Sequence, residues 1–180
     1  VNQIATDKLP IMTYGSVPQI PQDWWRLEVF GLVEFELEIS WDQFLTQPRV
    51  AVKTDFHCVT QWSSMNHTWE GVLAKELLQK AAPIVYAKYV MVSCYGGYTT
   101  SMSASDLFKA NVLFADHHND MVLPPEHGGP VRLIVPHLYG WKSAKWVKSI
   151  EFTECQYPGF WEKRGYHMRG DPWSEERLAL

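Results

Sequence analysis

Cysteine is scarce in this 180-residue sequence: there are three, Cys58, Cys94 and Cys155, and their separations make no CxxC. An odd number without metal-finger spacing argues against a disulfide framework and against a cysteine zinc site. Also missing are H-E-x-x-H, the signature of many zinc hydrolases, and C-x-x-C-H, the attachment sequence of a c-type haem. No apolar run reaches the roughly 18 residues that a membrane span needs, which points to a soluble chain without a membrane span. Positive charge is not in excess either. The formal net charge is −4, and the basic residues are scattered apart from a small group between Lys142 and Lys148. That excludes a broad footprint for nucleic acid and suits a small anion. A reducing compartment is the simplest setting for three free thiols. A cytoplasmic location is therefore expected, with a periplasmic one open if a leader preceded Val1.

What the chain has in quantity is apolar and aromatic surface, with nine Trp and 46% hydrophobic residues. That suffices for one packed domain over 1–180 and excludes a disordered chain. Pro10, Pro18 and Pro21, with no periodicity around them, mark the first two dozen residues as an extended arm able to line a site. Phe35-Glu36-Leu37-Glu38-Ile39 alternates as a half-buried strand does. Ser40 and Gln43 have capping-box spacing and predict a short helix. Val50 and Val52 predict a strand running into Cys58. Gly71–Ala82 reads as an amphipathic helix through Val72, Leu77 and Leu78, ended by Pro83. A strand at Val90–Val92, a turn at Gly96-Gly97, a short helix over Asp106–Ala110 and strands at Val112–Phe114, Val131–Val135 and Ile150–Phe152 follow. Strands outnumber helices, so the class is α+β.

Cys58 stands in D-F-H-C-V-T-Q-W-S-S, at the end of its predicted strand. A free cysteine is most often a small buried hydrophobe, and Cys94 and Cys155 read that way. Cys58 differs because it sits in a loop beside His57, Thr60 and Gln61, where a soft metal could reach a thiolate. In E-H-G-G-P-V-R-L-I-V-P, His127 and Arg132 bracket a Gly-Gly-Pro turn. The following loop, with Gly140, Lys142, Ser143 and Lys145, offers N–H groups and charge to a phosphate. The plain alternative is a solvated basic turn. Arg132, however, interrupts an apolar strand, where a charge needs a partner. His117 and His118 in D-H-H-N-D would face opposite sides of a strand and could not share one ion, so a polar turn is expected there.

In this order, DFHCVTQW, EHGGPVRLIVP and YGWKSAKWVKSIEF resemble the molybdopterin-binding domain of the sulfite oxidase family, in its short single-domain bacterial branch. The resemblance runs from YGSVP at Tyr14 to GFWEKRGYH and DPW near the end. It implies a mixed, strand-rich fold with several short helices, a molybdenum–molybdopterin cofactor, and an oxidoreductase carrying out two-electron oxygen-atom transfer. By position, it implies that the Cys58 thiolate ligates molybdenum and that Arg132 and His127 contact the pterin. Lys142, Ser143, Ala144 and Lys145 match the stretch around the pterin phosphate, and Tyr14 and Ser93 fall near the cofactor. His57, Trp62 and either Tyr98 or Tyr95 are expected to line the catalytic pocket.

Sulfite-oxidising relatives carry arginines shortly after the cysteine, where this chain has Val59, Thr60, Gln61 and Trp62. That spelling is similar to the methionine-sulfoxide reductase catalytic subunit. A small neutral sulfoxide or N-oxide is thus the expected substrate. Without a haem domain, electrons are expected from a separate protein. The rivals are a sulfite oxidase-like activity, a non-catalytic cofactor-binding domain, and a zinc hydrolase built on His57, His67 and Cys58.

Overall fold

A computed structural model describes residues 2–179. The strands are β1 (Ile4–Thr6), β2 (Arg26–Gly31), β3 (Leu37–Ser40), β4 (Val50–His57), β5 (Trp62–Leu73), β6 (Tyr89–Cys94), β7 (Thr99–Ser103), β8 (Leu113–His118), β9 (Met121–Val122), β10 (Arg132–Ile134) and β11 (Val147–Thr153). Three short α-helices interrupt them, α1 (Trp41–Leu45), α2 (Ala74–Leu78) and α3 (Ala104–Leu107). The strand-rich mixed α+β architecture expected from the sequence is the one found.

Two sheets form. In the first, the order is β1-β5-β8-β10, with β4 also on β5 and β9 on β8; in the second it is β3-β2-β11-β6-β7. Alternation explains which faces meet. Along β2, Leu27 and Val29 are fully buried while Arg26 and Glu28 are only partly so, the period of two that a half-buried strand requires. The main core gathers Trp25, Leu27, Val29, Phe44, Val92, Phe114, Ile150 and Phe152, each large side chain contributing about 1.5–3 kcal/mol by leaving water. A smaller cluster of Trp69, Leu113, Ala115, Leu123 and Ile134 lies in the first sheet.

Local signals held where the interaction is local. Ser40 and Gln43 make both bonds of the capping box at the start of α1. The strand expected from Phe35 begins only at Leu37, and Phe35 is exposed. The helix expected over Gly71–Ala82 is mostly replaced. Val72 and Leu73 belong to β5 and pair with Phe114 and Leu113 of β8. Helix α2 then occupies only Ala74–Leu78, followed by a 3-10 turn over Gln79–Ala81. A Cβ on Gly71 would fall 1.9 Å from the Phe114 carbonyl oxygen, so glycine permits this close strand contact. The helix expected over Asp106–Ala110 starts earlier, because Ser103 Oγ caps the Asp106 N–H. His117 and His118 are not in a turn but end β8. The turn comes after them, at Asn119 and Asp120, with φ of 49° and 63°, a left-handed pair suited to a tight hairpin into β9.

Candidate active site

Between the ends of the two sheets lies a cavity of about 280 Å³. Its walls come from the arm (Leu9, Pro10, Met12 to Tyr14), the β4–β5 turn (Phe56, Cys58 to Thr60, Trp62) and the β6–β7 turn (Gly96 to Tyr98). His127, Arg132, the 140–146 loop and the segment from Phe160 to Tyr166 complete it. The arm therefore lines a site, as its prolines suggested.

Cys58 sits in the turn that closes the β4–β5 hairpin. Its N–H donates to the Trp62 carbonyl at 2.9 Å and its carbonyl accepts from Gln61 at 3.1 Å. Gln61 takes a φ of 68° to make the turn. Cys58 is half-buried, with Sγ 3.1 Å from Thr60 Oγ1. Cys94, in β6, is buried, and that burial pushes its thiol well above the ordinary range. Cys155 is exposed and outside the cavity walls. Of the three thiols, only Cys58 faces the cavity.

Arg132 is the other unusual group. Its guanidinium is buried inside β10, over the rings of Phe56 and Trp69 at 5.4 and 5.2 Å. It donates to the His127 and Ser143 carbonyls, both at 2.9 Å, while Nε has no partner among the described residues. No carboxylate lies within ion-pair distance among those residues. Burial pulls its pKa down to about 9. Lys145 is similar: its Nζ bonds the Glu126 carbonyl at 2.9 Å, and burial, then Arg132, pull it down to about 8. Gly128 holds these groups together, since a Cβ there would lie 2.9 Å from the Lys145 side chain and 3.0 Å from that of Arg132. Two desolvated cations without a carboxylate are a poor arrangement in isolation and a good one for a phosphate. The donor set therefore fits the anionic end of a molybdopterin, and Cys58 is the thiol in the cavity wall that could hold a soft metal.

The remaining sequence expectations divide. Tyr14, Trp62, Tyr98, His127, Ser143 and Ala144 line the cavity together with Cys58, Arg132 and Lys145. Ser143 Oγ is occupied by the Val135 N–H, at 2.9 Å. Four residues are elsewhere. Lys142 points inward, fully buried, with Nζ on the Ser101 and Met168 carbonyls at 2.6 Å and paired with Glu162. It holds the fold and does not line the cavity. His57 faces away because its neighbour Phe56 takes the cavity side of the strand. Its Nδ1 lies 2.7 Å from Ser63 Oγ and its ring packs edge-on against Trp173. Ser93 lies within β6, paired with Ser149 and Thr99, outside the walls. Tyr95 hydrogen-bonds the Arg26 backbone and is also outside.

Beside Tyr98, which the sequence named, stand two features that it did not, Tyr166 in the wall and the His118–His67 pair behind it. Tyr98 donates its hydroxyl proton to the Trp141 carbonyl at 2.6 Å, and burial, then Glu162, raise its pKa well above the ordinary value. Tyr166 is the wall tyrosine raised by burial and then by Cys58; it stacks on Trp161 and makes no hydroxyl hydrogen bond among the described residues. It lies in the aperiodic tail, where no spacing singled it out. Behind His127, His118 stacks on Trp69 at 4.2 Å and shares a 2.8 Å hydrogen bond with His67 Nδ1. Burial, then His67, Arg132 and His127, lower His118 to about 4, so this histidine is neutral at ordinary pH. No group of three His, Cys, Asp or Glu side chains converges as a metal cage among the described residues, so His57, His67 and Cys58 form no zinc site.

The chain matches the oxidoreductase molybdopterin binding domain over residues 14–161. It is 43% identical over 179 residues to an uncharacterized oxidoreductase of Bacillus subtilis, covering 99% of this chain and 90% of that protein. It is 30% identical over 161 residues to the protein-methionine-sulfoxide reductase catalytic subunit of Campylobacter jejuni, covering 77% of this chain and 52% of that one. A putative subunit of such a reductase from Azospira oryzae is 30% identical over 145 residues, with 81% of this chain and 55% of the relative covered. The chain thus spans about half the length of these two relatives. Among solved structures, the sulfane dehydrogenase SoxCD of Paracoccus pantotrophus has the same fold, with a TM-score of 0.71 at 23% identity over 77% of this chain and 40% of that one.

Proposed function

Because the chain belongs to the oxidoreductase molybdopterin-binding domain family and is an enzyme that uses the molybdopterin cofactor, we propose that it transfers an oxygen atom in a two-electron reaction with a small neutral sulfoxide or N-oxide. The observation that carries this reading is the placement of charge in the cavity. Its cations are Arg132 and Lys145, with His127 beside them, and they cluster around Gly128. The loop that carries Cys58 contributes only Val59 and Thr60 to the wall, with Trp62 after it. An anionic substrate needs a fixed cation near the reacting centre, since a partly desolvated ion is costly without one.

In this reading Cys58 is the protein ligand, a soft thiolate that suits molybdenum. Arg132 and Lys145 hold the phosphate of the pterin by charge-assisted hydrogen bonds, and the turn through Ser143 and Ala144 shapes its seat. When bound, the cofactor supplies a metal that exchanges two electrons and one oxygen atom with the substrate. The aromatic wall of Phe160, Trp161 and Tyr166 excludes water around the substrate. Tyr166 would hold a proton on Oη and could supply one of the two protons that an oxygen takes to become water, solvent supplying the other; Tyr98 would not, because its proton is committed to the Trp141 carbonyl. Electrons come from a separate partner.

The test is a steady-state comparison on one molybdenum-loaded preparation with an artificial electron carrier. Both sulfoxide reduction and sulfite oxidation are measured as kcat/KM, the ratio that reports discrimination. Sulfoxide reduction is expected to dominate. A tenfold preference for sulfite, roughly 1.4 kcal/mol, overturns the substrate assignment.

A further inference from the structure

The two ends of the chain meet at the cysteine turn. Gln3 Nε2 donates to the Cys58 carbonyl at 3.1 Å, and the Ile4 N–H donates to the Gln61 carbonyl at 2.8 Å. From the other end, Arg177 donates through one guanidinium nitrogen to the Val59 carbonyl at 2.7 Å and through the other to the Asn2 carbonyl at 3.1 Å. Three carbonyls of a four-residue turn are thus held by residues 55 or more positions away. The ends also hold each other, since the Asn2 N–H donates to Glu175 Oε1 at 3.1 Å. All these terminal residues lie outside the span 14–161 that matches the family.

Arg177 is suited to this place. Its planar fork reaches two carbonyls at once, which a lysine cannot do with the same geometry. The face of Tyr139 fixes it from below, 5.2 Å from guanidinium carbon to ring centroid. No carboxylate pairs with it among the described residues. The same tail steadies the opposite wall: Leu178 bridges to Tyr166, and the Arg177 carbonyl accepts from the His167 N–H at 3.1 Å. A turn containing a non-glycine residue at φ 68° is a segment that needs such support, because turns open locally before strands do.

We infer that residues 2–4 and 175–178 form a clasp that sets the position of Cys58, with Arg177 as its positioning residue. The inference rests on the proposed role of Cys58 for its functional meaning, and on the hydrogen bonds alone for its existence.

Amide hydrogen exchange on the unloaded protein tests the clasp without the metal. In Arg177→Met, the Ile4, Cys58 and Gln61 amides should exchange at least tenfold faster, while Val29 and Ile150 in the central strands stay as in the parent. Arg177→Lys, with one compact donor head, should fall between. In the molybdenum-loaded variant, metal content should stay near one per chain while the thiolate-to-metal absorption band shifts or broadens. Unchanged exchange at the turn overturns the clasp, and faster exchange with an unmoved band overturns its role in setting the position of Cys58. If the parent protein carries no thiolate-bound molybdenum, the proposed role of Cys58 fails instead, and the exchange data still decide whether the clasp exists.

Discussion

Lys145 permits a test in which stability and binding move in opposite directions. A lysine held at about 8 instead of its ordinary 10.5 carries about 3 kcal/mol against its charged form. Part of that is offset, because Lys145 is only partly buried and solvent screens its charge. Met at this position also forfeits the bond to the Glu126 carbonyl and the contact with the Trp146 ring, 4.7 Å from Nζ, each about 0.5–1.5 kcal/mol. Lys145→Met should therefore stabilise the unloaded protein by about 1 kcal/mol near neutral pH. The sign with pH follows from linkage. Below about 8 both folded and unfolded states hold the proton, and the folded state bears the full penalty. Between about 8 and 10.5 the unfolded chain keeps a proton that the folded one has shed, so the parent gains stability as pH rises and the variant's advantage disappears. A bound phosphate reverses the preference, since it pairs with the ammonium. The same variant should thus lose about 1.5–3 kcal/mol of cofactor binding. Urea unfolding of both proteins at about pH 6.5 and 10.5, with pterin content per chain after purification, reads both effects. A variant less stable than the parent at the lower pH, or one that retains its pterin undiminished, refutes the reasoning.

Breaking the buried Lys142–Glu162 pair should be severe: Lys142→Met or Glu162→Gln alone is expected to cost about 3–5 kcal/mol in urea unfolding, and Lys142→Met with Glu162→Leu to recover at least half of it. Tyr166→Phe should lower kcat about a hundredfold with little change in KM. Tyr98→Phe should instead cost about 1 kcal/mol of stability and leave kcat near that of the parent, as measured by steady-state kinetics and thermal unfolding of the same preparations.

Much of the architecture was decided by short-range chemistry and could be read from the chain. The Ser40 capping box, the strand from Val50 and Val52 towards Cys58 and the proline-rich arm depend on neighbours a few positions apart, and each took the expected form or place. Arg132 announced a buried charge because a guanidinium inside an apolar strand demands compensation whatever the surrounding fold, and it is buried on two carbonyls with Nε unpaired among the described residues. The order of the three motifs identified the family by the same kind of evidence.

What tertiary structure alone decided is which of two adjacent groups faces the cavity. Lys142 and Lys145 stand three positions apart in one basic loop. Glu162 and the Ser101 carbonyl, 20 and 41 residues away, draw the first inward, whereas the second has only a carbonyl to bond. Phe56 and His57 are separated in the same way by the alternation of β4, and the Tyr98 hydroxyl is tied to a carbonyl 43 residues distant. Val72 and Leu73 fall in the segment whose Val72, Leu77 and Leu78 carry a helical pattern, but a strand arriving from residues 113–118 takes them into the sheet. Sequence spacing determines which donors are available, and distant partners determine which remain free, because a buried polar group turns toward whatever satisfies it.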